Sequence, residues 1–200
     1  THGGRVQCQV AAHATDNCSP SMLRKLNDLR EKHGLRRTVH LAQSKGEVAQ
    51  VRRYAGCTPA QYLERNDWLA PDVVGAHWTW CSDDDVALLA KHGVHMAHCP
   101  ANSSRRGPHA APMARILEAG VNVALGTDNM TEDMFQAMKI GSIVHRGSYG
   151  GGINPQPQAL LDAATRNGAL SLGALDQIGS IEPGKKADLA VIDLDDPFMV

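Results

Sequence analysis

Aromatic side chains make up only 4% of this 200-residue chain. That is too few to build the stacking platforms on which single-stranded nucleic acids bind. An excess of charge of one sign is also missing. Twenty basic and 21 acidic residues leave a formal net charge of −1, which gives no electrostatic footprint for nucleic acid or an anionic membrane. No apolar run approaches the roughly 20 residues that span a bilayer. The five cysteines (Cys8, Cys18, Cys57, Cys81 and Cys99) are odd in number, and no two are spaced as Cys-x-x-Cys. This argues against a disulfide framework or a zinc ribbon and for free thiols in a reducing cytoplasm. The N-terminal Thr1-His2-Gly3-Gly4 lacks the basic-then-apolar shape of a secretion signal. It also lacks an initiator Met, so the chain is expected to start inside a longer protein.

What is present is an ordinary apolar content of 42%, enough for one core, and an unusual count of 10 histidines. Strand-like runs cover Arg5 to Ala14, Arg37 to Ala42, Val73 to His77, Val94 to Cys99 and Val121 to Leu125. Helical spacing or capping chemistry separates them. Helices are expected from Ser19-Pro20 to Gly34, over Gly46 to Tyr54, from Thr58-Pro59, after Ser82, over Pro112 to Glu118, over Glu132 to Ile143 and over Gln158 to Leu172. A polar loop is expected from Asn102 to Pro108, a Gly-rich loop from Gly147 to Pro157, and a turn then strand over Gly184 to Leu194. Alternation of this kind specifies a parallel sheet with crossover helices. It gives way near residue 176, which divides the chain into residues 1–176 and a β-rich appendage at 177–200.

Three of the strand-like runs deliver a metal-type ligand at the C-terminal end: Thr38-Val39-His40, Val73-Val74-Gly75-Ala76-His77, and the run entering Gly126-Thr127-Asp128-Asn129. In a (β/α)8 barrel such ends converge on one face. Each residue has an ordinary alternative. A lone buried histidine commonly bonds a backbone carbonyl, and Asp128 can serve as the N-cap of the next helix. Taken together, two imidazoles and a carboxylate closing successive strands fit a site for zinc or iron. A carboxylate beside a metal-activated water can also take its proton.

Five stretches carry a family resemblance: Val39-His40-Leu41-Ala42, Gly75-Ala76-His77, Ala97-His98-Cys99-Pro100, Gly120 to Asp128, and Ile178 to Val191. The chain resembles the amidohydrolase superfamily, in the branch with cytosine deaminase, methylthioadenosine/adenosylhomocysteine deaminase and the triazine hydrolases. The resemblance implies an α/β fold, a partial (β/α)8 barrel of about strands four to eight with the start of a small β-sandwich. It implies one divalent metal, zinc or alternatively iron. His40 and Asp128 would be ligands, and Asp128 would accept the water proton. His77 would bond the attacking water or the substrate. His13, Gln43, Asn102 and Ser103 would contact substrate, with Cys99 to Ser103 lining the pocket. The implied reaction is hydrolysis of a non-peptide carbon–nitrogen bond, foremost deamination of an N-heterocycle. The family tends to form homo-oligomers, so a homo-oligomer is the protein partner it implies.

Three departures bear on this reading. The strand-one His-x-His pair is absent, so the site is incomplete and an inactive fragment is one alternative. Gln43 stands three residues after His40, where the deaminases often carry Glu. An amide cannot shuttle a proton, which keeps triazine-type chloride or amine release open as a second alternative. The usual Ser-Asn pair reads Asn102-Ser103. Glu47 is expected on a helix face, Trp78 and Trp80 in core packing, His92, His95 and His109 at the surface or behind the pocket, and His145 in a solvated loop.

Overall fold

The strand-like runs assemble into one parallel sheet in the structure, a computed structural model that describes residues 6–107, 110–148, 155–193 and 195. Strands β1 (Gln9–Ala14), β2 (Arg36–Leu41), β3 (Val73–His77), β4 (His95–His98) and β5 (Val123–Leu125) lie side by side in chain order, each pair parallel. Parallel neighbours need a crossover. It is supplied by α1 (Pro20–His33), α2 (Lys45–Ala55) with α3 (Pro59–Glu64), α4 (Asp83–Lys91), and α5 (Pro100–Arg105) with α6 (Met113–Glu118). Helices α7 (Met134–Ser148), α8 (Pro157–Ala164) and α9 (Arg166–Ser171) follow the last strand.

The period of two along each strand separates two environments. In β1, Val10, Ala12 and Ala14 are buried while Gln9, Ala11 and His13 are exposed. In β2, Arg37, Val39 and Leu41 are buried while Thr38 and His40 are half-buried. Val10, Ala12, Val39 and Leu41 pack with Leu23, Leu63, Trp68, Leu89, Met96 and Ile116 into one core. His13 and His40 therefore stand on the face away from that core.

Local chemistry sets the helix ends. Ser19 Oγ accepts from the Met22 N–H with Pro20 in the first turn, and Gly34 closes α1 at φ 61°. That left-handed C-cap suits glycine, which has no Cβ to clash. Reciprocal capping boxes start α3 at Thr58/Gln61 and α4 at Ser82/Asp85.

One buried charge cluster holds the opposite end of β2. Arg37, 4% exposed, donates to both oxygens of Asp72 at 3.0 and 2.8 Å, and Arg30 donates to the same carboxylate at 2.9 Å. Burial pushes the Asp72 carboxyl up, but hydrogen bonds and charge from Arg37 and Arg30 together hold it below the usual carboxylate value.

Several sequence expectations are corrected. β1 begins at Gln9, with Arg5 outside the described residues. The expected loop from Asn102 contains α5, because Pro100 sits in a first helical turn where its missing N–H costs nothing, and Ala101, Asn102 and Ser103 pack inward. Pro108 and His109 lie outside the described residues. α7 runs on to Ser148, through Gly141 and Gly147, so only residues 149–154 of the expected Gly-rich loop fall outside the described residues. The single helix expected over Gln158 to Leu172 is two. Thr165 breaks it at φ −125°, ψ −86°, with its hydroxyl bonded back to the Leu161 carbonyl at 2.6 Å. No strand forms over residues 184–192. Among the described residues this segment finds no ladder partner, and Leu189 and Val191 are 59% and 98% exposed. Leu194 lies outside the described residues.

Candidate active site

The C-terminal ends of the strands are locally irregular, and the irregularities gather polar side chains. β1 and β2 pair in register to Ala12↔Val39, and the next pair is Ala14↔His40, so His13 is the extra residue of a bulge. A bulge re-aims side chains and backbone. Here the His13 carbonyl accepts a hydrogen bond from the His40 Nδ1–H. A proton fixed on Nδ1 leaves the Nε2 lone pair of His40 available as a ligand. His13 is itself held by Asn17, whose side-chain amide donates to His13 Nδ1 at 2.6 Å. The His40 ring lies 5.1 Å from that of His13 and stacks on His77 at 5.4 Å, 13° from coplanar.

Non-glycine residues with positive φ concentrate at these exits: Ala42 at 48°, His77 at 83°, Trp78 at 54° and Asp128 at 54°. L-residues adopt this region at a cost, and such strain clusters where a site needs it. The exits are tied together by the Trp78 N–H to the Leu41 carbonyl at 3.0 Å, Trp80 N–H to Ala42 carbonyl at 2.9 Å, and Gly126 N–H to His98 carbonyl at 2.8 Å. Gly126 is needed for close approach, since a Cβ there would sit 3.1 Å from Cys99 Sγ.

The turn after β5 brings the Asp128 carboxylate to 3.7 Å from His77 Nε2. Cys99 Sγ joins them, with ligand atoms of the three residues all within 4.8 Å of one another. Imidazole, carboxylate and thiol are donors that suit a borderline-soft divalent ion such as zinc. Burial, then the neighbouring His40, pushes the His77 imidazole down to about 4, with Asp128 opposing. Burial, then the Asp128 charge, pushes the Cys99 thiol up to about 12. In the metal-free chain both shifts favour the neutral imidazole of His77 and the thiol form of Cys99.

The remaining residues singled out from sequence divide into two groups. His13, His40, His77 and Asp128 form a row in which each neighbours the next, while the ligand atoms that converge among the described residues are those of His77, Cys99 and Asp128, not His13 or His40. Gln43 lies at the β2 exit, half-buried, its N–H donating to Glu47 Oε2 at 2.8 Å. Asn102 and Ser103 are buried on α5 and brace loops: the Asn102 amide donates to Asn129 Oδ1 at 3.3 Å, and the Ser103 hydroxyl lies 3.5 Å from that of Thr79. Trp78 is wholly buried in the core, while Trp80 is half-buried with the Lys45 ammonium 4.7 Å from its ring centre.

Two features escaped the sequence reading. Glu47 is 1% exposed rather than on a helix face, because three donors from strand exits converge on it. His145 is 3% exposed on α7 rather than in a solvated loop, its Nε2 2.8 Å from Nε2 of His98. Burial, then the neighbouring His145 and His77 charges, pushes His98 down to about 3.

These depressed histidines set a pH dependence for the metal-free chain. His77 and His98 start from 6.5 when unfolded and fall to about 4 and about 3 when folded. The unfolded state therefore binds more protons below about 6.5, and stability declines as pH drops from there towards 4. Urea midpoints measured at pH 7 and pH 5 are expected to fall in that order. Equal midpoints would contradict buried neutral imidazoles.

Fold and site together define an α/β protein with an ionisable cluster at the carboxyl edge of a chain-order parallel sheet. The chain belongs to the amidohydrolase family, whose sequence profile matches residues 1–199. A 5'-deoxyadenosine deaminase of Methanosphaera stadtmanae is 32% identical over 204 residues, covering 100% of this chain and 48% of that protein. A 5-methylthioadenosine/S-adenosylhomocysteine deaminase of Moorella thermoacetica is 34% identical over 202 residues, covering 98% of this chain and 47% of that protein. Among solved structures, an adenosine deaminase from Xanthomonas campestris with bound zinc superposes with a TM-score of 0.86 at 28% identity, over 92% of this chain and 43% of its own. An atrazine chlorohydrolase from Arthrobacter aurescens TC1 complexed with zinc gives 0.78 at 25% identity, over 91% of this chain and 41% of its own. The chain thus spans about half the length of the curated relatives it matches.

Proposed function

We propose that this chain supplies the later strands of a (β/α)8 metal-dependent aminohydrolase that removes ammonia from an adenosine-type N-heterocycle. The observation that carries this reading is that His40 stacks on His77 and His77 lies 3.7 Å from Asp128, so residues distant in sequence line the exits of β2, β3 and β5. A divalent metal, zinc in this reading, supplies a Lewis acid and a water whose pKa falls towards ~7. His40, whose Nε2 is open, and Asp128 would hold it, although among the described residues the ligand atoms that converge are those of His77, Cys99 and Asp128. Asp128 accepts the proton of the attacking water. His77, neutral and buried, hydrogen-bonds the water or the substrate. Water adds to the ring carbon and ammonia leaves. His13, Gln43, Asn102 and Ser103 contact substrate, the first two being the more open.

The division near residue 176 belongs to the same proposal. Helix α9 ends at Ser171, and the apolar Leu189 and Val191 stand exposed beyond it, as suits a segment that packs outside the barrel units. The partner is a small molecule. Among the described residues no helix is long and apolar enough to cross a membrane.

Gln43 supports a second reading, because its amide cannot pass a proton to a ring nitrogen. Release of chloride or an amine from a triazine makes different demands there. One experiment separates the two. The intact zinc-loaded protein is assayed for ammonia release from 5'-deoxyadenosine and adenosine, and for chloride release from a chlorinated triazine. Ammonia release above the metal-stripped control supports the first reading, and chloride release alone supports the second. Silence on both, with zinc bound, overturns the assignment.

A further inference from the structure

The nearest exits of the sheet, those of β1 and β2, are joined by a carboxylate with no place in the chemistry above. Thr15 lies two residues after His13, and Ala42 lies two residues after His40. The Thr15 hydroxyl donates to Glu47 Oε1 at 2.5 Å, and the Ala42 N–H donates to the same oxygen at 3.0 Å. The Gln43 N–H donates to Oε2 at 2.8 Å. Thr15 and Glu47 are 0% and 1% exposed, so little of either reaches solvent. Glu47 occupies a position in α2 from which a helix-starting carboxylate ordinarily reaches back to the capping residue. Its own N–H donates to the Ser44 cap at 3.1 Å, but its carboxylate turns to the strand exits instead.

From this geometry we infer that Glu47 is a positioning residue: it bolts the bulged exit of β1 to the left-handed exit of β2, so that the His13 carbonyl selects the His40 tautomer with Nε2 open. The bulge puts the His13 carbonyl against His40 Nδ1. Nothing in an isolated strand keeps a bulge at that residue, and Ala42 at φ 48° gains nothing locally from its conformation. Ala42 bonds the Glu47 carboxylate directly, and Thr15, two residues past the bulge, bonds the same carboxylate. Two further bonds from α2 to the β1 exit, Gln50 to the Asp16 carbonyl at 2.9 Å and the Tyr54 hydroxyl to the Thr15 carbonyl, hold the helix over the joint. Outer-shell groups of this kind commonly set metal affinity by 10–100-fold through the ligand they orient. Here the effect would pass through a backbone carbonyl, two residues removed from the carboxylate on each strand.

The test uses Glu47→Gln, Thr15→Val and Thr15→Ser in the intact metal-free protein, read by long-range proton–nitrogen correlation of the imidazole rings. The wild type is expected to show His40 protonated on Nδ1, and Thr15→Ser to keep that pattern. Thr15→Val removes one donor, and Glu47→Gln turns an acceptor into a donor facing other donors. Both are expected to move His40 to the Nε2–H form or a mixture, and to weaken zinc binding by about 10–100-fold. If both leave the His40 spectrum as in wild type and only lower the melting temperature, Glu47 is a packing residue and the inference falls. Should Glu47→Gln fail to fold, Thr15→Val against Thr15→Ser decides. The zinc arm rests on the ligand reading of His40, whereas the tautomer arm does not. A wild type that binds no zinc but shows the Nδ1–H pattern lost in Thr15→Val would sink the metal reading and leave the bolt standing.

Discussion

Asp128→Asn is expected to slow the intact, zinc-loaded protein by about 10²–10⁴-fold, the usual worth of a positioned general base, with the fold retained. The retention follows from local geometry. Asp128 sits at φ 54°, a region in which asparagine is among the best tolerated side chains. Its Oδ1 accepts the Asn129 N–H at 2.6 Å, a bond an amide oxygen can also make. What asparagine cannot do is take a proton from water. The check is turnover measured beside the melting temperature. A rate within threefold of wild type at an unchanged melting temperature would remove Asp128 from the proton-accepting role.

Asp72→Ala is expected to destabilise the chain by about 3–5 kcal/mol, the range for breaking a buried ion pair by removing one partner. Arg37 is 4% exposed and would keep its charge in a site built around the lost carboxylate. Arg30 would lose the same partner. Asn27 and the Asp67 carbonyl also receive Arg37 donors, at 2.8 and 3.1 Å, so the guanidinium cannot leave without abandoning those bonds. Arg115→Ala is the control. Its bridges to Asp83 and Glu118 are more than half exposed at every partner, where such pairs contribute little. A urea series in which both variants shift by similar small amounts would contradict the difference in burial. The sign in acid follows from the lowered Asp72 value. Its contribution is present above the ordinary carboxylate range and is lost as pH falls through the depressed folded value.

Much of the site was legible because its residues interrupt patterns. His40 and His77 close apolar runs, and Asp128 follows a Gly-Thr turn after another, so the change of residue type marked the strand exits at or within a residue of their ends, where the proposed site lies. The parallel sheet was legible from the alternation of such runs with capped helices. Glu47 was not legible. Ser44-Lys45-Gly46-Glu47 reads as an ordinary helix start, and its burial depends on Thr15, 32 residues earlier. His145 was hidden by the glycines around it, which suggest a loop. α7 nevertheless passes through Gly141, which packs against Pro100 and Leu160. The turn and strand expected over Gly184 to Leu194 have the right composition, but a strand also needs a neighbouring edge, which no local pattern reports.

The alternation within β2 has a consequence for how this molecule could change over generations. Val39 and Leu41 face the packed interior while Thr38 and His40 face away from it, so one short segment serves two masters at adjacent positions. On the proposed reading, substitutions at His13, which is exposed, or Gln43, which is half-buried, would retune recognition at less cost to the core than those at fully buried positions. Asn102 and Ser103 are buried and lack that freedom. Adaptation to new compounds should therefore draw first on the open positions, and laboratory selection libraries would gain by concentrating there.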